Sequence, residues 1–357
     1  MRAIVLVGGE GTRLRPLTYS VPKQMLPIVE RPMLERVVEH LGAHGVDEVI
    51  LSLQYLPGAF EDAYPDGTAA GVRLTYVTEP RPLDTAGAIR YAAEQAGIDD
   101  TFVVANGDAL TDLDLDALVA FHRTHRAEGT IRLYPVEDPS RFGVVTTDDE
   151  GRVEAFIEKP PPGEAPTNLI NAGTYVLEPA FLERVPLGER VSVEVVTFPQ
   201  MARDGRLFAM AEPSYWLDAG TPDAFLRANL DLLDGTRPGL PYPEATLEAG
   251  VWRSGSGQVD GEVSGPAFVG HKVRVEAGAV ARAAVLGADT TLRHGSVVEA
   301  SVLLSGVVVE EGARISGAIL GAGVRVGQAC EVRAGSVIGF GVELEPGRVV
   351  AWERIPG

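Results

Sequence analysis

Residues 7–28 read "VGGEGTRLRPLTYSVPKQMLPI" and follow directly on the apolar run "RAIVLV". The run is short and continuous, as a strand covered on both faces should be. Beyond its end stand Gly8, Gly9 and Gly11, then Thr12, Arg13 and, after a proline, Lys23. Glycines let backbone N–H groups approach an anion closely. An arginine fork and a lysine ammonium add charge-assisted contacts. The chemistry points to a phosphate-bearing ligand at the exit of the first strand. No Gly-Lys-Ser/Thr closes the stretch, and position 14 is leucine, so it is neither a P-loop nor a dinucleotide fingerprint.

Working outward, residues 1–235 alternate apolar strands with amphipathic helices. "RPMLERVVEHLGAHG" places apolar residues at 33, 34, 37, 38 and 41, which is helical spacing. "EVILSL" and "VRLTYVTE" read as strands, "TAGAIRYAAEQAG" as a helix, "TFVVAN" as a buried strand and "LDALVAFHRTHRAEG" as a helix. This order predicts βαβ units and a mostly parallel sheet, with ligands beyond the carboxyl ends of its strands. The opening stretch and "NGD" at 106–108 both fall at such ends.

Residues 236–256 are rich in Pro, Gly and Ser without periodicity and read as a linker. After them apolar residues recur every six positions. The rows expected to face inward are Val263, Val269, Val275, Ala281, then Val285, Thr291, Val297, Leu303, Val309, Ile315, then Leu320, Val326, Val332, Ile338, Leu344, Val350. A hexapeptide period predicts a parallel β-helix over 257–357. The division expected is therefore 1–235, a linker at 236–256, and 257–357. A chain cut after Gly235 is expected to keep the phosphate-binding residues and to lose assembly.

The 357 residues carry 31 basic and 50 acidic side chains, a formal net charge of -19. This excludes a nucleic-acid or anionic-membrane surface as the partner. The acidity is concentrated. Residues 236–357 hold 13 acidic and 11 basic residues, leaving 37 against 20 in the first 235. Lysine occurs only three times, at 23, 159 and 272. One cysteine, Cys330, suits a reducing compartment. With no apolar run of membrane length and no leader-like segment, a cytoplasmic location is expected. The histidines lack a zinc motif. No long loop interrupts the hexads, so no acyl-transfer site at His271 or His294 is expected.

"GGEGTRLRPLT" followed by "PKQMLPI" resembles the signature of the sugar-1-phosphate nucleotidylyltransferases. The resemblance continues in order through "PLDTAGAI", "NGD", "FGVV", "FIEKP", "NAGTYVLEP" and "YWLDAGTPDAFLRAN". Within the family it is most similar to mannose-1-phosphate guanylyltransferases, through "INAGTYV" and "SVEVVTFPQMARDG". The Lys23–Gln24 pair is shared with thymidylyltransferases, and Asp84 stands where many guanylyltransferases have glycine. The resemblance implies a Rossmann-like α/β nucleotidyltransferase domain followed by a left-handed parallel β-helix.

It also implies roles. Arg13, Lys23, Asp108 and Asp218 carry catalysis. Leu6, Gly8, Gly9, Gly11, Thr12, Arg13, Lys23, Asp84, Thr85, Gly87 and Asn106 bind the nucleotide. Gly143, Glu158, Lys159 and Asn171 bind the sugar phosphate. Asp108 and Asp218 hold Mg2+, which suits hard oxygen ligands. The acids at 112, 114 and 116 read instead as loop and helix-cap residues, and Thr221 and Pro222 as a helix start. The substrates implied are an NTP, GTP foremost, and a sugar-1-phosphate, mannose-1-phosphate foremost. Transfer to glucose-1-phosphate from dTTP or UTP, and a non-catalytic nucleotide-sugar-sensing subunit, stay open here. A homo-oligomer formed through the β-helix is expected.

Overall fold

A computed structural model describes all 357 residues, which form two compact units. The first comprises Met1–Gly9 and Leu34–Trp216; the second comprises Glu10–Met33 and Leu217–Gly357. This clustering differs from a boundary at 235, because residues 10–33 and 217–235 group with the C-terminal part of the chain.

The first unit is built on a mixed sheet that is parallel at its centre. Strands Phe102–Asn106, Arg2–Leu6, Glu48–Leu53 and Val72–Thr78 lie side by side in that order, all parallel. Ala3, Ile4 and Val5 are fully buried, as helices on both faces require. Register places Leu6 beside both Asn106 and Ser52 at the carboxyl edge. Gly107 N–H donates to Leu6 O at 3.0 Å and joins the exits of two neighbouring strands. Antiparallel strands extend the sheet: Leu169–Leu177 pairs with Phe102–Asn106, and Gly143–Thr147 pairs with Val153–Glu158.

The helices occupy the expected segments. Met33–Ala43, Asp84–Ala96 and Leu115–His125 are α-helical. Gly97 ends the second of these at φ 61°, with its N–H and that of Ile98 returning to the last turn. Asp114 caps the third by accepting from Ala117 N–H at 2.9 Å.

The second unit contains the hexad repeat as a left-handed parallel β-helix of three sheets, one of eight strands and two of six. Inward residues form one continuous core from Val251 to Val350. In the second coil this core contains Leu286, Leu292 and Val298, not Val285, Thr291 and Val297. The expected row is one residue out of register there. The cause is a corner one residue shorter in successive coils, where Ala283, Ala300 and Gly317 take left-handed φ of 47°, 45° and 58°. Paired residues stand 17 apart across these short corners, as Leu286 with Leu303, and 18 apart where the corner is full length, as Val263 with Ala281 and Leu320 with Ile338.

One face of the eight-stranded sheet is apolar on its outside as well. Phe268, Val285, Val302, Ile319 and Val337 alternate with the inward row yet are almost wholly buried. Helix Pro222–Leu233 packs beside strand Ala267–Val269. Pro27, Val29 and Asn229 line one small cavity together with Val285 and Leu303. The signature loop is thus seated on the β-helix.

Candidate active site

Gly8, at the carboxyl edge of the first unit, leaves little room for a side chain. A Cβ there would lie 3.1 Å from Gln54 Cβ and 3.5 Å from Glu79 Oε1. Glu79 follows strand Val72–Thr78 and accepts from Leu83 N–H at 3.0 Å and Ser52 Oγ at 3.2 Å. Burial, opposed by these two hydrogen bonds, raises its pKa above the usual carboxylate range. Sequence reasoning passed over this residue. An acid at the exit of a parallel strand was the available signal.

Asp84 opens its helix at φ 61°, a conformation natural to glycine. Its carboxylate accepts from Thr85 N–H at 2.9 Å and lies 3.7 Å from Arg190. Thr85 Oγ1 donates to Glu194 at 2.7 Å and accepts from Val193 N–H at 2.8 Å. Gly87 packs so closely on the 189–191 backbone that a Cβ would collide with Glu189 O. Thr85 and Gly87 therefore fasten the helix start to its neighbours, and the protein fills their side-chain positions.

Asp108 is half-buried two residues beyond strand Phe102–Asn106. Three residues further, Thr111 Oγ1 accepts from the guanidinium of Arg132 at 2.7 Å. Arg132 is fully buried and also donates to Ser214 O and Ser214 Oγ, both at 3.0 Å. Burial pulls its pKa down to about 10, against the pull of Glu212, and it stays charged at neutral pH. Arg132 thus holds the segment after Asp108 to the segment leading towards Asp218. Nothing in "TIRLY" distinguishes this residue from an ordinary strand arginine.

The sugar-phosphate candidates occupy one neighbourhood of the first unit. Gly143 faces Glu158 across an antiparallel pair, and a Cβ there would lie 2.9 Å from Glu158 Oε2. Glu158 Oε1 lies 2.9 Å from Lys159 Nζ. Lys159 has φ 48°, and its N–H returns to Phe142 O. Asn171 donates to Tyr175 Oη at 2.9 Å and accepts from Gly173 N–H at 3.0 Å. Strand register shifts between Asn171 and Tyr175, which marks a bulge. Gly173, at φ 74°, lies against Asn106, and Trp216 Nε1 donates to Ala172 O at 2.8 Å. The bulge sets Gly173 against the Asn106 side chain.

In the second unit, Gly11 takes φ 62°, and a Cβ would lie 3.0 Å from Lys23 Cβ. Thr18 Oγ1 donates to Gly11 O at 2.7 Å. Thr12–Leu14 and Lys23–Met25 are single 3-10 turns, and Thr12 and Arg13 are exposed. Arg13 Nη2 lies 3.6 Å from Asp218 Oδ2, while Asp218 Oδ1 accepts from Gly220 N–H at 2.9 Å. Thr221 then caps helix Pro222–Leu233 by accepting from Ala224 N–H. Signature residues more than 200 positions apart thus meet within one unit.

His44, Asp114 and Asp116 bring ligand atoms within 4.8 Å of one another at an exposed corner. Asp114 is engaged there as a helix cap, and His44 Nδ1 lies 3.0 Å from Asp116. No helix is long and apolar enough to cross a membrane.

The first unit carries a glycine-lined strand exit and a lysine–glutamate pair, and the second an arginine beside an acid. The chain belongs to the nucleotidyl transferase family, whose model matches residues 2–235, and residues 263–355 match the GMPPB C-terminal domain. It is 42% identical over 297 residues to mannose-1-phosphate guanylyltransferase of Mycobacterium tuberculosis, covering 78% of this chain and 82% of that one. It is 40% identical to mannose-1-phosphate guanylyltransferase catalytic subunit beta of Xenopus tropicalis, over 68% and 67%. Among solved structures it resembles HddC from Yersinia pseudotuberculosis, with TM-score 0.56 and 30% identity over 64% of this chain and 97% of that one. A further structure of HddC is of its complex with GMP-PN.

Proposed function

We propose that the protein transfers GMP from GTP to mannose-1-phosphate, giving GDP-mannose and pyrophosphate. An oxygen of the sugar phosphate attacks the α-phosphorus, and the bond to the β-phosphate oxygen breaks. The observation that carries the reading is the pairing of Arg13 with Asp218 at the head of the signature loop. It supplies a cation for the triphosphate beside an acid suited to a metal. Such catalysis rests on positioning and charge stabilisation, with no protein nucleophile required.

Arg13, Lys23 and the N–H groups of Gly8, Gly9 and Gly11 bind the triphosphate and steady charge on the departing pyrophosphate. Lys159 offsets the repulsion between two anionic reactants, oriented by its contact with Glu158. Asn171, fixed at the bulge, and Glu158 hold sugar hydroxyls. Glu79, under Gly8, offers acceptor oxygens to a base edge that carries N–H donors, as guanine does. Asp108 and Asp218 are hard oxygen donors that fit Mg2+. When bound, Mg2+ would neutralise and align phosphate oxygens. We assign the protein to the cytoplasm.

We further propose a homo-oligomer, supported by the apolar groups left open near the end of the β-helix, Trp352 at 79% exposure and Val349 at 50%. Light scattering tests it, and a monomer at micromolar concentration overturns it.

The test of activity is a matrix of GTP, dTTP, UTP and ATP against mannose- and glucose-1-phosphate, reading pyrophosphate. Preference for GTP with mannose-1-phosphate supports the assignment. Preference for dTTP or UTP with glucose-1-phosphate moves the protein to the thymidylyl or uridylyl class. No release with any pair indicates a sensing subunit.

A further inference from the structure

The last rung of the β-helix touches the signature loop. Strand Arg354–Ile355 closes the eight-stranded sheet by pairing with Val337–Ile338. From it, Arg354 Nη1 donates to Arg13 O at 2.9 Å and lies 3.5 Å from Arg15 O. These carbonyls belong to the short turn Thr12–Leu14 and the residue that follows it. A three-residue 3-10 turn leaves carbonyls without partners of its own, and a guanidinium satisfies them. The side chain of the same Arg13 reaches Asp218. Further along the loop, Glu30 accepts from Ala288 N–H on the β-helix. All these contacts lie within the second unit.

We infer that Arg354 is a positioning residue for nucleotide use. By holding the main chain at Arg13 it sets where the Arg13 guanidinium stands. The β-helix thereby takes part in substrate binding. The inference rests on the reading that Arg13 meets the triphosphate. It also revises the expectation for a chain cut after Gly235, which would remove both Arg354 and Ala288.

The test uses the full chain with Arg354→Ala, Arg354→Lys, Arg13→Ala and the double variant. Arg354 is exposed, so its loss should leave the melting temperature within about 2 °C, as for surface substitutions. The loss of one hydrogen bond predicts a rise of about fivefold in KM for the NTP, with KM for the sugar phosphate unchanged. Arg354→Lys, which keeps a donor, should recover much of this. The double variant should be no worse than Arg13→Ala alone, since the two changes act through one group. An unchanged NTP KM in Arg354→Ala, while Arg13→Ala raises it, overturns the inference. So does full additivity in the double variant, or an equal rise in both KM values with a fallen melting temperature. An unchanged NTP KM in Arg13→Ala overturns the underlying assignment of Arg13 instead.

Discussion

The side-chain oxygen of Asn229 accepts from Val29 N–H at 2.8 Å, joining residues 200 positions apart in a fully buried contact. Val29 and Glu30 have φ of 47° and 61°, and they link Pro27–Ile28 to Arg31–Pro32 as a two-residue hairpin. Two left-handed residues in such a turn usually include glycine or asparagine; here a valine and a glutamate adopt it. Asn229 supplies the compensation, and its amide also donates to Phe225 O at 2.8 Å. Asn229→Ala leaves a buried N–H without its acceptor and is expected to cost about 1–3 kcal/mol. Urea unfolding of the full chain reads the loss, and an unchanged midpoint refutes it.

Asp108→Asn and Asp218→Asn should each lower kcat by at least about 10²-fold, because each replaces an ionised oxygen assigned to the metal. Asparagine retains an oxygen able to accept from Gly220 N–H at position 218, so the fold should persist. Chelation of divalent cations should abolish pyrophosphate release, and added Mg2+ should restore it. Wild-type turnover of either variant at saturating Mg2+ removes that residue from the metal assignment.

Lys159→Ala should raise KM for the sugar phosphate, whereas Lys23→Ala and Arg13→Ala should impair NTP use. Each removes a charge-assisted contact worth about 1.5–3 kcal/mol. Initial-rate measurements with each substrate varied in turn separate the effects. The reverse pattern would exchange the two phosphate assignments.

Glu30 introduces a pH dependence. Burial is the largest influence and raises its pKa above the ordinary 4.5; Asp289 adds to the rise, while Ala288 N–H and His271 oppose it. The folded state therefore holds this proton more tightly than the unfolded chain. The stabilising contribution is complete below pH 4.5 and is lost as pH rises through the folded value. Glu30→Gln keeps an acceptor for Ala288 and does not titrate. Its stability relative to wild type should be flat below pH 4.5 and should climb as pH rises above it. Parallel stability curves across that range would contradict this.

Asp84→Gly should be tolerated. Glycine adopts the φ of 61° without strain, and the loss of Asp84 removes an exposed contact with Arg190, a bond to the next amide and a charge that raises the pKa of Glu79. Melting within about 2 °C of wild type and near-normal kcat/KM for GTP are expected. A drop beyond tenfold would give the carboxylate a direct part in nucleotide binding.

The sequence by itself determined the elements and the chemistry. Continuous apolar runs marked the central parallel strands, 3.6-residue spacing marked the helices, and the six-residue period marked the β-helix, because each pattern is local. The rarity of lysine directed attention to Lys23 and Lys159. Only the tertiary structure decided the rest. The one-residue shift to Leu286, Leu292 and Val298 depends on a corner at Ala283, and the adjacent apolar pairs Val285–Leu286 and Val297–Val298 left both registers open in the sequence. The seating of residues 10–33 on the β-helix, the grip of Arg132 on Thr111 and Ser214, and the reach of Arg354 to Arg13 join residues tens to hundreds of positions apart. Such contacts leave no period in a sequence. They arise because buried polar groups and turn carbonyls must find partners wherever the folded chain supplies them.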